Sequence, residues 1–378
     1  MRLLFAAVGA HGHLIPLLPL AEAARDAGHE VTVATAEPLH DTVRQAGLEP
    51  VAAGTTAREA ITQAYARLRP DQPRSEVSAQ AFGSTLPQRA AADLGPILAA
   101  RKPDLIVYEA LNPGAAIAAA LAQIPAFCHG LGRVADGPIW QAMCAAWTAT
   151  ATRAGVDAAA ADPRFFGNPY LDICPPSLQS GRLETPAGHF LLRPEPWCQE
   201  SVTLPPVVHG RDRGRPLVYL TSGTAFNDDE LLRQAIAGLS ALPVDVLVVT
   251  GATSNLQLDQ QDLPPNVTLE RWVPQGNLLP HISLAVSHGG SGTMLNCLAE
   301  AVPHLLLPQG ADQFGNAQAV CAAGAGRQIL PGDLTAEAIT RAARELLADD
   351  GVRENARRLS AEIAAMPSPH EVIERLTR

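Results

Sequence analysis

Residues 283–313 read SLAVSHGGSGTMLNCLAEAVPHLLLPQGADQ, and the fold is decided here. The stretch opens on an apolar run, Leu284, Ala285 and Val286, which predicts a short buried strand. The turn His288-Gly289-Gly290-Ser291-Gly292-Thr293 follows, and the spacing after it predicts a helix over 293–301. A second apolar run over 304–307 predicts the next parallel strand, closed by Pro308 and then Asp312-Gln313. Strand, glycine-rich turn, helix and strand in this order make an anion cradle. The glycines let the backbone approach a diphosphate, and the N–H groups of the first helical turn point at it. Ser291 is suited to cap the helix and Thr293 to add a donor. His288 stands at the mouth, where it can offer an N–H to a phosphate oxygen. The glycines alone would fit a tightly packed turn about as well. The histidine before them and Asp-Gln after the next strand favour a ligand site.

Working outward, the same alternation recurs on both sides. Strands are expected over 217–221, 244–250, 267–269 and 328–330, with helices over 228–240, 335–349 and 352–366. Pro367-Ser368-Pro369 then breaks the chain before a last helix over 370–378. At the other end a strand over 2–8 runs into Gly9-Ala10-His11-Gly12-His13. The helix after it carries Leu17, Leu18, Leu20, Ala21 and Ala24 at helical spacing. Pro16 places the helix start nearby, and Pro19 is late enough to bend it. Further strands are expected over 30–34, 48–52, 103–109, 125–129 and 188–192, with helices over 41–47, 90–101 and 113–122. Residues 54–86 are polar and irregular, too long for a plain connector, which suggests either a mobile segment or a binding loop. An alanine-rich helix with Trp140, Met143 and Trp147 precedes a proline-rich loop bearing Phe165, Phe166 and Tyr170. Prolines and glycines between 194 and 216 mark a linker. The result is an α/β chain with two Rossmann-like, doubly wound halves, whose ligands sit beyond the carboxyl ends of the strands.

The motifs together resemble family 1 glycosyltransferases of the GT-B fold, most of all the bacterial branch that decorates antibiotics and other natural products. The resemblance rests on 283–313, on Arg271-Trp272-Val273-Pro274-Gln275 and on the N-terminal GAHGHLIPLLPLAEAARDAGHEVTVAT. It implies two domains facing an interdomain cleft: an acceptor domain over 1–200, a nucleotide-sugar domain over 201–365, and a tail over 366–378 returning to the first. His13, in Gly12-His13-Leu14-Ile15-Pro16, matches the family's catalytic base, and an imidazole suits that work near neutral pH. Where the family usually places an aspartate to orient the base, this chain has Glu109, one methylene longer. His11 is the second candidate base. Trp272 resembles the family's base-stacking aromatic, although a tryptophan before proline also suits a core. Val273 and Gln275 match the positions that meet base edge and ribose. Ser222-Gly223-Thr224 resembles a second phosphate-contacting turn, and Gln309, Asp312 and Gln313 fall at the sugar-hydroxyl positions. Plant members carry a ribose-binding glutamate where this chain has Asn296.

Composition excludes other classes. Net charge is −10 and Lys102 is the only lysine, so no basic surface tracks a nucleic-acid backbone. No Walker A loop can be built from that lysine, no Gly-x-Ser-x-Gly elbow occurs, and no Gly-x-Gly-x-x-Gly follows the first strand. Nor is there an Asp-x-Asp to hold a metal–diphosphate pair. No stretch approaches the roughly 18 apolar residues of a membrane span. Arg2 and the apolar run after it imitate a signal peptide, but cleavage would remove the first core strand, so the expected location is cytoplasmic. Six scattered cysteines suggest reduced thiols. With these classes set aside, the resemblance implies an inverting, metal-independent transfer of a sugar from a nucleotide diphosphate to a natural-product aglycone. The resemblance to antibiotic glycosyltransferases favours a dTDP-deoxysugar over a UDP-sugar; no cofactor or metal is expected, and a homodimer is compatible with the chain. A sugar-nucleotide 2-epimerase and a catalytically silent sugar-nucleotide binder are the rival readings.

Overall fold

The computed structural model describes residues 1–67, 74–134, 137–157, 164–181, 187–199, 202–209, 214–223, 229–251 and 260–378. The chain forms two compact units. The first comprises Met1–Cys174, Gln179–Arg193 and Pro367–Arg378; the second comprises Pro175–Leu178 and Pro194–Met366.

The first unit is built on a seven-stranded parallel sheet: β1 (Arg2–Ala6), β2 (Glu30–Thr35), β3 (Glu49–Ala52), β4 (Leu105–Glu109), β5 (Ala126–His129), β6 (Tyr170–Asp172) and β7 (His189–Leu191). Their spatial order is β3-β2-β1-β4-β5-β6-β7. The second unit has β8 (Leu217–Thr221), β9 (Asp245–Val249), β10 (Val267–Glu270), β11 (Leu284–Ser287), β12 (His304–Leu306) and β13 (Gly326–Gln328), in the order β10-β9-β8-β11-β12-β13. In each sheet the order reverses once, between β1 and β4 in the first and between β8 and β11 in the second. The crevice at such a reversal is where an open parallel sheet binds ligands.

The strands read as continuous apolar runs because helices cover both faces. Along β8, Val218 and Leu220 join one core with Val246, Val248, Leu284 and Val286, while Leu217 and Tyr219 join another with Leu247, Val249 and Ala285. That is the period-two alternation of a strand sorted into two layers. The covering helices follow the same logic: Asp229–Ser240 buries Leu231, Leu232, Ala235, Ile236 and Leu239. The helix Ala336–Ala348 is capped by the Thr335 side chain, and Asp350–Ala364 by that of Asp349. The last helix, Pro369–Leu376, starts with a Ser368/Glu371 capping box.

Four local expectations are corrected. Residues 54–86 are not a loop where described. Helices Ala57–Arg67 and Arg74–Gln80 lead into a π-helical turn, Ala81–Thr85, and then into helix Leu86–Arg101. Ala57, Ala60 and Ala64 form a narrow buried stripe too weakly apolar to stand out among the charged residues. Thr56 and Glu59 nevertheless exchange reciprocal capping bonds, and that signature is present in the sequence. Strand β6 replaces part of the expected proline-rich loop; its three residues are too few to show a period. Strand β13 lies two residues earlier than expected, because it pairs from Gly326 opposite His304, and Leu330 beyond it is exposed. The helix after the glycine turn is Ser291–Ala299 and not 293–301, with Gly290 as its N-cap.

Candidate active site

The first cluster forms where β1 and β4 leave their sheet. Pro16 and Pro19 each fall in the opening turn of a new helical segment, so the chain passes from Leu14 through a 3-10 turn, Ile15–Leu17, into helix Leu18–Asp26. His13 sits in the short helical turn His11–Leu14 before them. Its Nδ1 lies 3.2 Å from Oε1 of Glu109, the last residue of the fully buried β4. The Glu109 carboxylate also accepts the Val8 amide at 3.1 Å and the Leu111 amide at 2.6 Å. Two backbone donors thus fix the carboxylate, and the carboxylate holds Nδ1 of the imidazole, with Nε2 on the far side of the ring. The extra methylene of glutamate is accommodated without losing the contact. His11 turns elsewhere, its Nε2 3.4 Å from Thr42 Oγ1, and burial lowers its pKa.

The second cluster forms where β8 and β11 leave theirs. The His288 ring is wedged between two glycines. A methyl on Gly223 would stand 2.4 Å from His288 Cε1, and one on Gly290 would stand 2.5 Å from Nε2. Burial pushes the imidazole down to about 4, against the opposing pull of the Asp312 carboxylate, so the ring is neutral at pH 7 and offers a single N–H. Gly289 takes φ +83°, a conformation that a side chain would strain. The helix Ser291–Ala299 has no side-chain cap, and its first-turn amides have no acceptor within the helix.

Ser291 does not cap that helix. Its hydroxyl donates to Asp312 Oδ2 at 2.6 Å, and the buried Asn316 Nδ2 lies 2.9 Å from the same oxygen and 3.0 Å from the Gly289 carbonyl. Gln313 is buried, and its Oε1 accepts the amides of Gln309 and Gly310. The Gln309 amide nitrogen is turned to the carbonyls of Leu307 and Pro308. Asp312 and Gln313 therefore shape the loop as well as flank it. Gln275 donates to Tyr219 at 3.0 Å and to Thr293 at 3.1 Å, and accepts from Asn296 at 2.8 Å. The Val273 side chain belongs to the core, so only its backbone is available to a ligand. Trp272 is half-buried. Ser222 is buried at the end of β8 and the Gly223 amide donates to Thr221 Oγ1, while Thr224 lies outside the described residues.

Three supporting residues went unread in the sequence. Asn316 ties the glycine turn to the Asp312 loop. Ser287 Oγ, 2.7 Å from His304 Nε2, accepts the Gly289 amide at 3.1 Å. Only the i, i+4 spacing of Asp312 and Asn316 on one helix could have signalled the first. The Ser287–His304 contact joins neighbouring strands and leaves no local trace.

The chain is 31% identical over 389 residues to the L-demethylnoviosyl transferase of Streptomyces niveus, spanning 100% of this chain and 97% of that protein. It is 32% identical over 402 residues to elloramycin glycosyltransferase ElmGT of Streptomyces olivaceus, with the same coverage. This chain is a bacterial antibiotic glycosyltransferase. Residues 234–378 match the C-terminal domain of the erythromycin biosynthesis protein CIII-like family. The crystal structure of the Streptomyces sp. SF2575 glycosyltransferase SsfS6, complexed with thymidine diphosphate, superposes with a TM-score of 0.81 at 27% identity, covering 100% of this chain and 99% of that one. The two doubly wound units of the transferase are thus those of the GT-B fold. Among its described residues no helix is long and apolar enough to cross a membrane.

Proposed function

We propose that this transferase moves a deoxysugar from a dTDP-linked donor to a hydroxyl of an antibiotic-type aglycone, with inversion and without a metal. The observation that carries this reading is the 3.2 Å contact of His13 Nδ1 with a buried carboxylate that two backbone amides hold in place. That arrangement keeps the Nδ1 proton on the Glu109 side and leaves Nε2 as an acceptor for the aglycone's hydroxyl proton, while the carboxylate steadies the imidazolium that forms. As the oxygen attacks the anomeric carbon, the bond to the diphosphate breaks. A single displacement of this kind inverts the configuration.

The negative charge that develops on the leaving diphosphate is met by the first-turn amides of helix Ser291–Ala299 and by the N–H of His288. Those groups supply the stabilisation a metal would otherwise give. The thymidine diphosphate held by SsfS6 supports a dTDP donor. The deoxysugar is supported by the name of a relative 27% identical over 434 residues, the aclacinomycin-T 2-deoxy-L-fucose transferase of Streptomyces galilaeus.

The test pairs His13→Ala with calorimetry. Turnover of a dTDP-sugar with a model aglycone should fall by about 10²–10⁴-fold, while dTDP affinity stays within about twofold of the parent. His288→Ala should weaken dTDP binding and, with one donor to the leaving diphosphate gone, lower turnover as well. Wild-type turnover in His13→Ala would remove the base assignment. Unchanged dTDP affinity in His288→Ala would remove the cradle. The product's anomeric configuration, read by NMR, decides inversion, and full activity in the presence of a chelator decides metal independence.

A further inference from the structure

Ala81–Thr85 winds as a π-helical turn set between helices Arg74–Gln80 and Leu86–Arg101. A π turn inserts one extra residue, which frees carbonyls from their usual helical partners; such turns are frequent at functional places. Here the carbonyls face another helix, Pro138–Arg153. Trp147 Nε1 donates to the Phe82 carbonyl at 2.9 Å, and Thr150 Oγ1 stands 3.5 Å from the Gly83 carbonyl. Gly83 allows the approach, since a methyl there would come within 2.6 Å of Ala146 Cβ. Trp147 is fully buried and is braced edge-on by Trp140, their ring centroids 5.3 Å apart.

What this braced turn presents is the half-buried ring of Phe82. It lies against the face of the His13 imidazole, with centroids 5.9 Å apart and planes 21° from parallel, an offset stack of the usual kind. The Glu109 contact alone does not fix an imidazole. One hydrogen bond at Nδ1 leaves the ring able to pivot about the N···O line, and the last torsion of histidine is broad. A flat ring on the face of the imidazole removes that freedom.

We propose that Phe82 is a positioning residue for His13, held in place by Trp147 and Thr150, and that it keeps Nε2 aimed at the acceptor hydroxyl. The inference rests on reading His13 as the base. The π turn follows from the same need: an ordinary turn would carry Phe82 to a different angle around the helix axis.

The experiment uses Phe82→Leu, Phe82→Tyr and Trp147→Phe in the full chain, with kinetics and ¹⁵N-histidine NMR of each. In the parent protein His13 should give the nitrogen shifts of a single tautomer, with the proton on Nδ1. Phe82→Leu should lower kcat about tenfold or more, leave the donor KM unchanged and move the His13 nitrogens towards tautomer-averaged values. Phe82→Tyr, flat and of similar size, should restore both. Trp147→Phe keeps a buried ring but removes the N–H, and should shift both readouts in the same direction by less. Parental kcat in Phe82→Leu, or a loss of kcat with unmoved His13 nitrogens, would overturn the proposal. The nitrogen shifts do not depend on turnover. Should His13→Ala retain activity, the base assignment falls, while the NMR still reports whether Phe82 orders the ring.

Discussion

The hydroxyl of Ser287 lies 2.7 Å from Nε2 of His304 and takes the amide of Gly289 on its other side. A pair that looks like a nucleophile and its base is sealed in the core, both residues almost without solvent contact. Burial pushes His304 down to about 3, so its ring is neutral at neutral pH. Its work is to hold the glycine turn still. Ser287→Ala leaves the Gly289 N–H and a histidine nitrogen without their partner, which costs about 1–3 kcal/mol. We expect a lower melting temperature and weaker dTDP binding, with the His13–Glu109 pair untouched. Calorimetry that finds parental dTDP affinity would show that the turn does not need this anchor.

Glu109 can be tested by length and by charge separately. Glu109→Asp installs the residue usual in the family but withdraws the carboxylate by about 1.5 Å. Either the imidazole or the backbone amides then lose their acceptor. Turnover should fall about tenfold or more, although the chemistry of the group is unchanged. Glu109→Gln keeps the length, loses the charge that steadies the imidazolium and sets an amide N–H against backbone donors. Its loss should reach about 10² or more. An aspartate variant as fast as the parent would mean that the backbone tolerates either length.

The space around His288 gives a third prediction. Gly290→Ala puts a methyl 2.5 Å from His288 Nε2, so the ring must move. Affinity for dTDP should drop about tenfold, in line with the loss of one charge-assisted hydrogen bond. A melting temperature that falls while dTDP binding is unchanged would show that the ring position is irrelevant to the ligand.

Acid should weaken the fold before the carboxylates titrate. Burial holds His129 and His288 down at about 4 and His304 at about 3, against an ordinary value of 6.5. Below about pH 6.5 the unfolded chain binds protons at these histidines and the native chain does not, so stability is full above that pH and is lost as pH falls towards 4. Each histidine contributes a slope of about 1.4 kcal/mol per pH unit in that window. Denaturant titrations at pH 7 and pH 5 read the difference, and His129→Phe should flatten it. A stability independent of pH between 7 and 5 would contradict the burial of these rings.

How much could be read beforehand follows from where the determining contacts lie. Strands such as β8 and β11 and the turn from His288 to Thr293 were legible because each is a local pattern, an apolar run or a glycine cluster. His13 and Glu109 were legible as residues, but not the two amides that fix the carboxylate. The Ser287–His304 contact and the reach of Asn316 to Gly289 join residues that only the sheet brings together. Helix Ala57–Arg67 was hidden for another reason: its buried face is made of alanines, whose transfer energy is small, and its clearest signal was the Thr56/Glu59 cap. The Phe82 stack on His13 depends on a π turn, and no periodicity foretells one.

The closing helix, Pro369–Leu376, packs on helix Leu18–Asp26, immediately after the His13 turn, and buries Val372 and Ile373. The Arg193 amide bonds the Pro367 carbonyl on the way in. Synthesis runs from the N-terminus and domains generally fold as units. Once Met366 has been added, then, the second unit has all the residues assigned to it while the first still lacks 367–378. The half of the enzyme whose strands are made first is the last to be finished. A truncation after Met366 would therefore damage the unit that carries His13 and spare the one that carries His288.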